Sequence, residues 1–346
     1  MFFIKTTILF IALIICNFDS YALTEKQDSV AKYYMYKNIA EKKIIESNFE
    51  EALLNYKYSI KYLPQFAVDS YNACLCALEC NKFEDAVLFA SKLVNKGVPI
   101  SYFTKTSLFQ KLMSQEVWRN FEKQNPKPTF DKALREKLDS LLITDQKFRK
   151  PFATGRDLDL MMATDSLSKI EMQHIFKTYG YPTEEMTGIW MQNDTLIRWG
   201  WSPLDIIIIH LVKREPNEYI DFFKTNVYNG RIRNAVFAMH SKNFSLDSNY
   251  IFFCLREGDG IIVKVLNDQY TCCCQEETLI NKNRAKFYLN TLEEQRERIS
   301  FKLKNETHFR IGQGIVEYFS NKGFDDLEKI KKELLNERNF VRYKNE

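Results

Sequence analysis

Asp145 and Arg149 stand four residues apart, and His210 closes the apolar run Ile206 to Ile209. A histidine titrates near neutrality, and a carboxylate fixes its tautomer. Together the three side chains would make an acid–base or anion-binding group. The same i,i+4 spacing also serves an ordinary helix ion pair, with His210 packed beside it. Motifs for other chemistry are missing: the chain has no GxxxxGK[ST], no HExxH and no GxSxG. Gly312-Gln313-Gly314 is a bare GxG without a strand-to-helix context. Of eight cysteines, Cys74, Cys76 and Cys80 fall in a helical pattern and read as small buried residues. The run Cys272-Cys273-Cys274 reads as extended, so adjacent thiols would point to opposite faces. No CxxC or Cys/His spacing supports zinc. No metal and no cofactor are expected. His174 reads as exposed or packed, and Trp190, Trp199 and Trp201 as core or turn residues.

These residues must be held by a folded chain, and composition supports one. The 346 residues are 45% hydrophobic and 27% charged, with a net charge of +4. That charge is too mild to predict nucleic-acid binding, and no basic stripe with interleaved aromatics occurs.

The first 22 residues read as a leader: Lys5 supplies the positive end, Ile8 to Ile15 the apolar run, and Ser20-Tyr21-Ala22 a small–x–small cleavage site. The run is about half the ~20 residues that span a bilayer. Export to the periplasm or the outside is expected, with no membrane span after cleavage. Cys16 leaves a lipid-anchored alternative open.

Residues 23–123 carry a helical repeat. Ser47-Asn48-Phe49-Glu50-Glu51-Ala52 recurs as Asn81-Lys82-Phe83-Glu84-Asp85-Ala86, and Cys74 follows Ala40 at the same interval of 34. Tyr36, Ala40, Ala52, Tyr56 and Pro64 alternate large, small and helix-stopping residues as two antiparallel helices require. Apolar positions within 101–123 would cap the array. Gln124 to Thr129, with two prolines, predicts a linker. A second, mostly helical domain is expected over 130–304. Its helices fall at about 130–148, from Ser168 (with Glu171 as a capping box) to Gly180, and at 203–213, 216–227, 231–240 and 283–303. A β-hairpin is expected at 250–266 around Glu257-Gly258-Asp259-Gly260. A helical extension, 305–346, closes the chain.

The repeat resembles the tetratricopeptide repeat at Tyr36, Ala52, Tyr56 and Pro64, and departs from it at Lys43 and Ser59. The resemblance implies a surface for a protein or peptide partner, with Tyr36, Lys43 and Tyr71 facing it. The second domain is similar to a family of unknown function found in secreted bacterial proteins. The likeness rests on Asp145-Gln146-Lys147-Phe148-Arg149, Tyr179-Gly180-Tyr181-Pro182-Thr183, His210, and Arg284 with Leu292-Glu293-Glu294. It departs near Met239-His240 and after Tyr270. That family implies a fold and draws attention to Asp145, Arg149 and His210, without implying an activity.

The sequence thus predicts a mainly α protein. A short repeat domain packs on a mostly helical C-terminal domain with a small hairpin. It reads first as an exported binding or scaffold module, and second as a hydrolase-like enzyme built on Asp145, Arg149 and His210.

Overall fold

In a computed structural model, residues 25–149, 158–192, 196–197, 203–214, 216–241, 273–305 and 307–311 are described. The expected leader, the expected hairpin at 250–266, Trp199, Trp201, the GxG at 312–314 and the expected closing helix lie outside them. The fold is mainly α.

Two helical hairpins open the described chain: α1 (25–45) with α2 (Phe49–Ser59), and α3 (Ala67–Glu79) with α4 (Phe83–Asn95). Their turns share one geometry. Ser47 and Asn81 both take φ 57. The Asn48 amide bonds the Lys43 carbonyl at 2.9 Å, and the Lys82 amide bonds the Ala77 carbonyl at 2.8 Å. This six-to-one bond satisfies a carbonyl that the helix end leaves open. Asn48 also caps α2 by accepting from the Glu51 amide. Ala40, Ala52, Cys74 and Ala86 are fully buried, so the small residues do let the helices approach. Short helices α5 (Ile100–Lys105), α6 (Gln110–Met113) and α7 (Glu116–Lys123) cover the end of this core with Phe103, Phe109 and Trp118.

After the proline-containing stretch come α8 (Lys132–Lys147) and α9 (Leu158–Tyr179). Next follow α10 (Glu184–Thr187), α11 (Pro203–Arg214), α12 (Pro216–Tyr228) and α13 (Asn234–Ser241). The last two are α14 (Cys273–Lys286) and α15 (Leu292–Lys304). A two-residue strand pair, β1 (Met191–Gln192) with β2 (Leu196–Ile197), is antiparallel and unforeseen. Leu138, Met172, Ile175, Ile208 and Phe223 centre a second core.

Three expectations need correction. Helix α9 begins ten residues before Ser168, so Ser168 is a buried mid-helix residue, and Glu171 pairs with Lys137 at 2.7 Å. Cys273 and Cys274 open a helix rather than continue a strand. The stretch 283–303 is two helices, broken where Tyr288 takes φ 57 and Thr291 forms a capping box with Glu294. Gly180 does end α9, at φ 68, with its amide on the Phe176 carbonyl.

The two bodies are tightly joined. Ile189, Phe309 and Ile311 belong to the core of the repeat hairpins. Buried Lys96 at the end of α4 bonds Glu185 at 2.5 Å, Glu184 at 3.1 Å and the Gln65 carbonyl at 2.7 Å. Arg298 of α15 donates to Glu41 of α1 at 2.8 Å, and both side chains are buried. Tyr34 stacks on Tyr288, and its hydroxyl accepts from the Asn234 amide at 2.9 Å. Among the described residues no helix is long and apolar enough to cross a membrane.

Candidate functional site

Helices α8, α9 and α11 pack against one another and bring Asp145, Arg149 and His210 together. Asp145 sits near the end of α8 on its buried side, at 1% exposure. His210 approaches from α11, and its Nδ1 lies 3.0 Å from Oδ1 and 2.9 Å from Oδ2 of Asp145. Arg149, just past α8, donates to the same carboxylate from Nε at 3.3 Å and Nη2 at 3.2 Å. Gln146 adds a bond at 2.6 Å. Burial pushes the Asp145 carboxyl up. The hydrogen bond and charge of His210, with those of Arg149, outweigh this and hold it below the usual carboxylate range.

An ionised Asp145 can only accept, so the Nδ1 of His210 that faces it carries a proton. The His210 side chain is 21% exposed, so the pair is not sealed from solvent.

The sequence reading missed Asp165. It is buried on α9 and ion-pairs with Arg149, which therefore bridges two carboxylates. The signal was the apolar spacing that continues α9 upstream of Ser168, through Met161 and Leu158. Starting the helix at Ser168 left Asp165 in a loop. Ser168 lies one turn beyond it, and its buried hydroxyl has no partner among the described residues.

Asp145, Asp165 and His210 each place a ligating atom within 4.8 Å of the others, a spacing that could surround a cation. Arg149 already supplies a fixed positive charge to both carboxylates, so the arrangement is closed as it stands.

The residues expected on the repeat surface do not share one open face. Tyr36 stacks on Tyr62 and meets Tyr58 at a tilt. Lys43 bonds Glu46 and Glu51, each at 3.0 Å. Tyr71 is buried, edge-on to Phe109. Cys74 is also buried; its thiol faces the Ala86 carbonyl, and burial pushes its pKa up to about 12. It is not a nucleophile at neutral pH. A separate cavity of about 80 Å³, lined by Phe66, Tyr181, Trp190, Asp205, Arg231 and Arg233, lies at the junction of the two bodies. Asp145 and His210 do not border it.

No protein-family model, curated protein or solved structure matches this chain.

Proposed function

We propose that this is an exported protein whose second body carries an acid–base centre at His210, with the repeat hairpins as its brace. One observation carries the reading: the buried carboxyl of Asp145 holds Nδ1 of a part-exposed histidine. That arrangement leaves Nε2 to take a proton from a water or a substrate hydroxyl. Asp145 is then a positioning residue, as the carboxylate is in any histidine dyad. Arg149 donates from Nε and Nη2 to Asp145 and from Nη2 to Asp165, and so ties the two carboxylates together. The chemistry this favours is hydrolysis by an activated water. Export is supported by the pattern in residues 1–22.

The test is imidazole nitrogen NMR of the full chain, with activity screening on ester, phosphoester and glycoside chromogens. We expect His210 with the proton on Nδ1, and a turnover lost in His210→Gln. A proton on Nε2 at neutral pH, or no turnover on any class, overturns the reading. Intact mass of the mature protein tests export. A species beginning at Leu23 supports plain cleavage, and a lipidated Cys16 would mark an envelope anchor.

A second reading, a protein- or peptide-binding scaffold, is favoured by a different observation: a segment of this chain is already seated on the repeat hairpins.

A further inference from the structure

The cavity at the junction of the two bodies has walls of two kinds. Phe66 at the start of α3, Leu204 on α11 and Val236 on α13 are buried apolar side chains. Arg231 and Arg233, on the link between α12 and α13, bring two part-buried guanidiniums to the same space. A guanidinium is always charged, and burial favours a carboxylate beside it. Arg231 gives Nη2 to the Tyr179 carbonyl at 2.5 Å and to the Met186 sulfur at 3.6 Å, both uncharged. Arg233 makes no hydrogen bond or ion pair among the described residues. Its charge acts through space on Tyr34, Asp69 and Tyr181, without a bond to any of them.

The carboxylates of the lining are engaged elsewhere. Glu184 accepts from Lys96 at 3.1 Å and from the Ala67 amide at 2.6 Å. Glu185, which shares Lys96, is exposed and lies outside the lining. Asp205 is buried on α11 and already has a partner interaction. With Glu184 offset by Lys96, two guanidiniums face the single charge of Asp205, and the cavity keeps positive charge in excess. Its volume of about 80 Å³ is several times the ~10–15 Å³ that one water needs. We propose that this cavity binds a small organic carboxylate of about two to four carbons. The head lies on Arg231 and Arg233, whose forked donors match a carboxylate. The short stem lies against Phe66, Leu204 and Val236, a wall that gives nothing to a bare phosphate. Phe66 belongs to the repeat body and the other walls to the second body, so occupancy fastens the junction and stabilises the fold by mass action. The inference uses none of the His210 centre and stands or falls apart from it.

The experiment uses the full chain with propionate as the probe, at constant ionic strength in a zwitterionic buffer. Propionamide and inorganic phosphate are the comparisons. Saturation transfer to the propionate methyl protons reads binding, and Tm reads its linkage to folding. We expect propionate to bind and to raise Tm. Propionamide has the same shape without the charge and should bind at least about ten-fold more weakly. Arg233→Gln should weaken propionate by a similar factor, and Val236→Phe, which fills the apolar end, should abolish the transfer. Equal binding of propionate and propionamide overturns the proposal, as does phosphate binding as tightly as propionate. So does the absence of any transfer from the unaltered folded chain. Propionate binding that survives both Arg233→Gln and Val236→Phe would place the ligand elsewhere and also overturn it. The three-probe comparison needs no variant, so it decides the matter even if a substitution prevents folding.

Discussion

His210 and its carboxylate form one unit, and each residue in it depends on the next. Asp145→Asn keeps the volume but removes the charge that both His210 and Arg149 face. Breaking a buried pair in this way costs about 3 kcal/mol, read as a lower urea midpoint at neutral pH. The sign with pH follows from the lowered pKa of Asp145. Its stabilisation is fully present above the unfolded-state value of about 4 and is lost as pH falls through the lower folded value. The gap between the two proteins should therefore narrow in acid. A gap that is constant between neutral and strongly acidic pH would show that the charge contributes nothing. Buried Asp69 has the opposite sign. Burial, against the pull of Lys37, pushes its carboxyl up to about 6, while Glu41 raises it and Tyr33 and Arg233 lower it. The folded state then holds this proton more tightly than the unfolded state does. Its contribution is greatest below the unfolded value and declines, by roughly 3 kcal/mol at most, as pH rises to about 6. Asp69→Asn keeps a partner for the Tyr33 hydroxyl and should flatten that decline in melting curves.

At the scale of elements, the two repeat turns invite a paired comparison. Ser47 and Asn81 hold the same left-handed backbone in otherwise matching turns. Asparagine tolerates that conformation better than serine, and glycine adopts it freely. Ser47→Gly should stabilise the protein by about 0.5–1 kcal/mol, and Asn81→Gly by less. Equal effects, or a loss at Ser47, would mean that the turn is held by its capping bonds and not by backbone preference. Lys96 acts between elements, linking the end of α4 to α10. Burial lowers its pKa, but Glu184 and Glu185 outweigh this and raise it, so the lysine is charged. Lys96→Met leaves two carboxylates without their cation and should cost about 3 kcal/mol in chemical denaturation. A loss well under 1 kcal/mol would place the junction's strength in its apolar contacts.

For the molecule as a whole, neighbour-range patterns and long-range pairings divide the account. The sequence by itself determined the helical class, the interval of 34, the shared turns at Ser47 and Asn81, the small residues at Ala52, Cys74 and Ala86, and the stop at Gly180. Each is set by residues within a few positions, or by a fixed period, and hydrophobic spacing records such constraints directly. The pairing of Asp145 with Arg149 was legible for the same reason. Its extension to His210 came from residue chemistry together with a resemblance, and Asp165 stands on the part of α9 upstream of Ser168. Only the tertiary structure decided that Tyr71 is core, that Lys96 meets Glu184 and Glu185, that Arg149 bridges two helices, and that Asn72 grips Arg310. These partners are brought together by packing between elements, and contact across a core leaves no period in the chain.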